Sequence, residues 1–175
     1  MTHWSLPAWA LVLLVSSTAF SLDCHFQGWS NWESLQHLEN LGGKFPLNCL
    51  KDRSDFIFLH VSTIDQVLKA GAVPALREML QQVFNTFSLS VSQSLWNESS
   101  VEGLLSGLYR QTVKAEAWPE QETGQEDHSS SQREDTRLGI KNYFRGIRGY
   151  LQDQKHSNCA WEVIRVEMAK VFSVH

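Results

Sequence analysis

Five stretches of the chain carry apolar residues three and four positions apart, and few show the alternation of a strand. That spacing puts side chains on one face of an α-helix, which advances about 100° per residue. The first stretch is Trp32, Leu35, Leu38 and Leu41, closed by the stop signal Gly42-Gly43. The second is Leu76, Met79, Leu80, Val83, Phe84 and Phe87, with Pro74 at its start, where a missing N–H costs nothing. The third is Val101, Leu104, Leu105, Leu108 and Thr112, with Pro119 as its stop. The fourth is Ile140, Tyr143, Phe144, Ile147 and Leu151. The fifth is Trp161, Ile164, Met168, Val171 and Phe172, behind the cap-type residues Ser157-Asn158.

The expected fold is therefore all-α, with five helices. Two long connections separate the stripes. One runs roughly from 42 to 62 and includes the apolar patch Phe56-Ile57-Phe58-Leu59. The other, "EQETGQEDHSSSQRED" (120–135), is polar and acidic and reads as a mobile surface loop. Long crossovers mark up-up-down-down bundles, as opposed to hairpin-linked ones.

Residues 1–21 contain no Asp, Glu, Lys or Arg, and Ala8–Val15 is an unbroken apolar run. Ala19-Phe20-Ser21 fits the small-x-small cleavage pattern, so residues 1–21 are expected to be a signal peptide and 22–175 one secreted, extracellular domain. The run is too short to span a bilayer, which needs roughly 20 residues, and no membrane insertion is expected. A net charge of −4 argues against a nucleic-acid binder. Asn97-Glu98-Ser99 is the one N-x-[ST] sequon, a surface glycosylation site in an exported chain.

An exported chain favours disulfides, and there are three cysteines, Cys24, Cys49 and Cys159. Sequence alone allows three single pairings. On the fifth helix Cys159 falls about 160° from Trp161, away from the core stripe, where it can reach a loop laid over the outer surface. That geometry favours Cys49, in "FPLNCLKDRSDF" (45–56), and leaves Cys24 unpaired. Val163, Val166 and Ala169 also fall on the outward side, flanked by Arg165 and Lys170. Either the pinned loop or a partner protein covers them. On the fourth helix Lys141, Arg145 and Arg148 share one flank, read either as a solvated charged face or as a surface for an acidic partner.

No H-E-x-x-H, P-loop, G-x-S-x-G or C-x-x-C is present, and the seven histidines are scattered. Cys24-His25 has no second ligand pair. No enzyme activity, cofactor or metal is expected.

"CAWEVIRVEMAKVF" (159–172) resembles the last helix of type I interferons, and "CLKDRSDF" (49–56) their first-connection motif. "LREMLQQVFNTFS" (76–88), "WNESSVEGLLSGLYRQ" (96–111) and "IKNYFRGIRGYL" (140–151) resemble their second, third and fourth helices, in order. The resemblance covers nearly all of the mature chain. It implies a five-helix up-up-down-down cytokine bundle that binds the two-chain interferon alpha/beta receptor and triggers JAK-STAT antiviral signalling. It also implies the Cys49–Cys159 bond. Carried over by position, the high-affinity receptor chain would meet Leu50, Arg53 and Arg165, with Val166, Ala169 and Lys170 at altered positions. The low-affinity chain would meet Phe84, Asn85, Tyr109 and Lys141, and Leu105, which stands where an aromatic is common.

The chain departs from the family in one bond. Many members pair a cysteine like Cys24 with one late in the third helix, where this chain has "KAEAWPEQ", with Trp118 near that position. A monomer is expected, with Cys24 free or available for an intermolecular bond to a second copy. Three rival readings stay open at this point: a cytokine with a mainly reproductive, trophoblast role, a helical cytokine outside this family, and a helical carrier of an apolar ligand.

Overall fold

The computed structural model describes residues 32–56, 73–90, 95–117 and 126–173, without the side chains of Trp32 and 126–133. The expected signal segment, Cys24, Ile57–Leu59 and Trp118 lie outside these. Five α-helices and one 3-10 helix make up the described elements: α1 (Trp32–Gly42), the 3-10 turn η1 (Leu47–Asp52), α2 (Val73–Ser88), α3 (Glu98–Glu116), α4 (Glu126–Asp153) and α5 (Asn158–Ser173). No strand occurs among the described residues.

Most members of each predicted stripe lie on the buried face of their helix; Leu35, Phe84, Leu105 and Thr112 are half-buried at its edge. Leu38, Leu80, Val83, Phe87, Leu104, Leu108, Phe144, Ile147, Leu151, Trp161, Ile164, Met168 and Phe172 have no solvent exposure. Burying such a side chain contributes about 1.5–3 kcal/mol, so this shared core supplies the main driving force for folding. Trp161 is its centre, with the rings of Phe87, Trp96 and His156 at centroid distances of 6.4, 6.0 and 6.2 Å. α1 packs on α3 and α5, α2 packs on α3 and α4, and α5 also meets α4 and η1.

α1 stops where the glycines predicted. Gly43 takes φ +64, and its N–H reaches back to the Glu39 carbonyl at 3.1 Å, a left-handed helix cap. A four-residue turn joins α4 to α5. Lys155 (φ 50) and His156 (φ 53) both adopt left-handed backbone there, and His156 N–H donates to the Leu151 carbonyl at 2.7 Å.

The reading of 120–135 as a loop is corrected in part, because α4 is helical from Glu126. Extending an existing helix avoids the costly first turn, so a polar segment continues a helix anchored by Ile140, Tyr143 and Phe144. An apolar stripe marks only the packed part of a helix.

Candidate functional site

The connection after α1 is fixed to the outside of α5. Cys49 and Cys159 form a disulfide across 110 positions, with Cα atoms 5.0 Å apart. Downstream, the Tyr150 hydroxyl donates to the Asp52 carbonyl at 2.6 Å, and the Phe56 ring stands edge-on to Tyr150 at 5.2 Å. Burial and the nearby Asp52 carboxylate push the Tyr150 hydroxyl up from its ordinary range. η1 thus buries Cys49 and turns the rest outward. Leu47 is 81% exposed and Leu50 48%. In a 3-10 helix residues three apart eclipse each other, so Leu47 and Leu50 share one edge. Arg53 follows at the exposed end of the turn. Leu47 was not among the sequence candidates, and its signal was the spacing of three to Leu50.

On α5 the outward set divides. Val166 and Ala169 are partly exposed, and Lys170 is exposed with its ammonium 3.2 Å from Glu167. Val163 is buried within the protein itself, whereas Val166 and Ala169 are not fully covered, so the two readings of the outward side divide between residues. Arg165, expected as an exposed flank, is also buried, at 3% exposure. The reason is that α5 is packed by α1, α4 and η1 together, so its covered arc is wider than one stripe.

Arg165 is fully engaged inside the protein. Its guanidinium donates to Glu162 Oε2 from Nε (3.1 Å) and Nη2 (2.9 Å), to the Leu38 carbonyl from Nη1 (3.3 Å) and to the Gly43 carbonyl from Nη2 (2.9 Å). The Leu38 carbonyl lies near the C-terminal end of α1 and the Gly43 carbonyl just past it, so one side chain of α5 grips the exit of the first helix. Glu162 Oε1 in turn accepts from Trp96 Nε1 at 2.9 Å. No periodicity or motif points to the Glu162–Trp96 contact, which joins residues 66 positions apart.

The second candidate set lies on α2, α3 and α4. Tyr109 is 64% exposed, Asn85 is exposed, and Phe84 and Leu105 are half-buried. Leu105, Tyr109 and Val113 recur every four residues and form an apolar stripe on the open side of α3. Lys141 is 3.7 Å from Glu78, and Arg148 Nη1 donates to Gln82 at 2.8 Å. The basic flank of α4 is therefore partly a seam with α2, rather than a solvated face alone.

At the start of α3, Asn97 is the N-cap. Its side-chain oxygen accepts from Ser99 N–H at 3.0 Å and from the Ser99 hydroxyl. The sequon is exposed, and its cap bonds use the oxygen of Asn97 rather than the nitrogen that a glycan takes. Among the described residues no group of three or more His, Cys, Asp or Glu is placed to hold a metal, and no helix is long and apolar enough to cross a membrane.

The bundle and its stapled connection have counterparts in known proteins. Residues 24–175 match the model of the interferon alpha/beta domain family. Interferon alpha-2 of Equus caballus is 39% identical over 168 residues, covering 94% of this chain and 91% of the relative. Interferon beta of Tachyglossus aculeatus aculeatus is 39% identical over 175 residues, covering 95% and 91%. Among solved structures, zebrafish interferon 2 superposes with a TM-score of 0.66 at 25% identity, covering 82% of this chain and 92% of that one. The chain belongs to the interferon alpha/beta, or type I interferon, family. It is thus a helical cytokine, not an enzyme.

Proposed function

We propose that the protein is a secreted type I interferon that assembles the two-chain interferon alpha/beta receptor and so triggers JAK-STAT antiviral signalling. The observation that carries this reading is the disulfide-held packing of η1 on α5. It lays the turn that carries the exposed Leu50, followed by Arg53, against the helix that carries Val166, Ala169 and Lys170. Apolar side chains beside an exposed arginine fit an interface, whose centre is poor in charge and whose anchors include Arg. This composite surface takes the high-affinity receptor chain, and Leu47 extends it. Arg165 leaves the set of direct contacts because its side chain is enclosed.

The low-affinity chain binds the stripe of Leu105 and Tyr109 with Phe84, Asn85 and Lys141. Residues 1–21 direct export and are removed, and Asn97 carries a glycan. The product acts as a monomer. A mainly reproductive role would use the same receptor surfaces, and expression pattern would separate it from antiviral defence.

The test is an antiviral protection assay on matched-species cells, with a reporter for STAT activation and a receptor-blocked control. Protection that disappears under receptor blockade supports the reading. Protection that survives blockade, or no reporter response from folded protein, rejects it.

A further inference from the structure

The Glu162–Arg165 pair is an unusual thing to find inside a small bundle. Both side chains are nearly enclosed, at 7% and 3% exposure. Removing two charges from water costs more than their attraction returns unless further hydrogen bonds complete the site, and an apolar pair of similar volume is often as stable. Here the further bonds exist, and they run to two separate segments. Arg165 binds the Leu38 and Gly43 carbonyls at the end of α1. Glu162 binds Trp96, the residue before the Asn97 cap of α3. Both charged groups stand on α5.

Gly42 closes the node. A Cβ there would lie 2.6 Å from Arg165 Nε and 2.6 Å from Glu162 Oε1, so the helix end approaches the ion pair as closely as glycine alone permits. The chain then leaves Gly43 and reaches the disulfide at Cys49. Beyond Cys49 the chain is also held by Tyr150, at Asp52 and Phe56, but between Gly43 and Cys49 the disulfide alone does not set its direction. A second attachment at Gly43, from the same helix, sets its direction.

We infer that Arg165 is a positioning residue for receptor recognition. With Glu162 and Gly42 it fixes the exit of the connection from α1, and so holds Leu47, Leu50 and Arg53 in register with α5. This rests on the proposed receptor surface and adds a role for buried groups that no receptor touches. The fork geometry matters more than the charge, because only a guanidinium reaches both carbonyls and the carboxylate at once. The node also ties Trp96 to the same helix, so the start of α3 shares the support.

The experiment compares wild type, Arg165→Lys, Gly42→Ala and the core control Ile140→Val. Each mature, disulfide-intact protein is measured for affinity to the isolated high-affinity receptor ectodomain, for melting temperature and for hydrogen exchange of residues 44–53. Gly42→Ala removes no polar group; its Cβ, 2.6 Å from Arg165 Nε and Glu162 Oε1, must push the enclosed pair aside, so it displaces the node without deleting a member of it. Arg165→Lys and Gly42→Ala should each weaken binding at least about fivefold and speed exchange over 44–53. Ile140→Val should lower the melting temperature while leaving both readings at the wild-type level. Wild-type affinity and exchange in Gly42→Ala and Arg165→Lys would overturn the inference. So would lost affinity in Arg165→Lys alone with unchanged exchange, which would make Arg165 a direct contact. If wild type binds no receptor chain, the receptor reading fails separately, and unchanged exchange over 44–53 in Gly42→Ala would still refute the positioning role.

Discussion

The Arg165 guanidinium donates from Nη2 to the Gly43 carbonyl at 2.9 Å, across 122 positions of sequence. A residue that looks like exposed charge on a helical wheel is thus the internal clasp between the last helix and the first. Arg165→Ala leaves Glu162 buried without its cation and takes a donor from the Leu38 and Gly43 carbonyls. Stability should fall by about 3–5 kcal/mol, the range for breaking a buried pair. Denaturant titration checks this, and an unchanged midpoint would contradict the enclosure of Arg165.

Reduction of Cys49–Cys159, or Cys49→Ser, should cost about 4–5 kcal/mol in the chain-entropy model for a loop closed over 110 positions. Thermal melts with and without reductant read this directly. A melting temperature indifferent to reductant would mean that the bond constrains little.

At Asn97 the cap and the glycan can be separated. In unglycosylated protein, Asn97→Ala should lose about 1 kcal/mol, because Ser99 N–H loses its acceptor. Asn97→Asp should keep that stability, since a carboxylate caps as well and suits the positive end of the helix. In protein from mammalian cells, both substitutions should remove the same mass of sugar. Equal melting temperatures for Asp and Ala variants would rule out the cap.

The Tyr143 hydroxyl is pushed well above its ordinary value of 10.0, first by burial and then by the Glu167 carboxylate, which it meets at 3.1 Å. Below pH 10 the hydroxyl is protonated in both states. Above it the unfolded chain loses the proton while the folded chain keeps it, so stability falls as pH rises. Tyr150 acts in the same direction. Tyr143→Phe should flatten the alkaline decline measured by denaturant midpoints between pH 8 and about 11. An identical decline in the variant would remove Tyr143 as its source.

The helices were legible because each has one dominant buried face, and Leu76, Met79, Leu80, Val83 and Phe87 needed only their spacing to be found. The disulfide was legible because Cys159 points away from the Trp161 stripe. Arg165 and Glu162 were not, since residue type assigns charge to the outside and their partners, Leu38, Gly43 and Trp96, are far away in sequence. A wheel knows one core direction, whereas α5 is packed by α1, α4 and η1, which is why its covered arc reaches Arg165. The start of α4 escaped notice because 126–135 has no apolar anchor of its own. Leu47 was missed because period-3.6 reasoning does not apply to a 3-10 turn.

The most direct test of the central claim, that η1 and α5 together form the surface gripped by the high-affinity receptor chain, is a titration of its isolated ectodomain with wild type, Leu50→Ala and Arg53→Ala. Both side chains are exposed, so neither substitution should move the melting temperature by more than a few degrees. The account predicts at least about tenfold weaker binding for Leu50→Ala and a similar loss for Arg53→Ala, mostly through faster dissociation. Wild-type affinity in both variants would place the receptor on another face of the bundle and contradict the account.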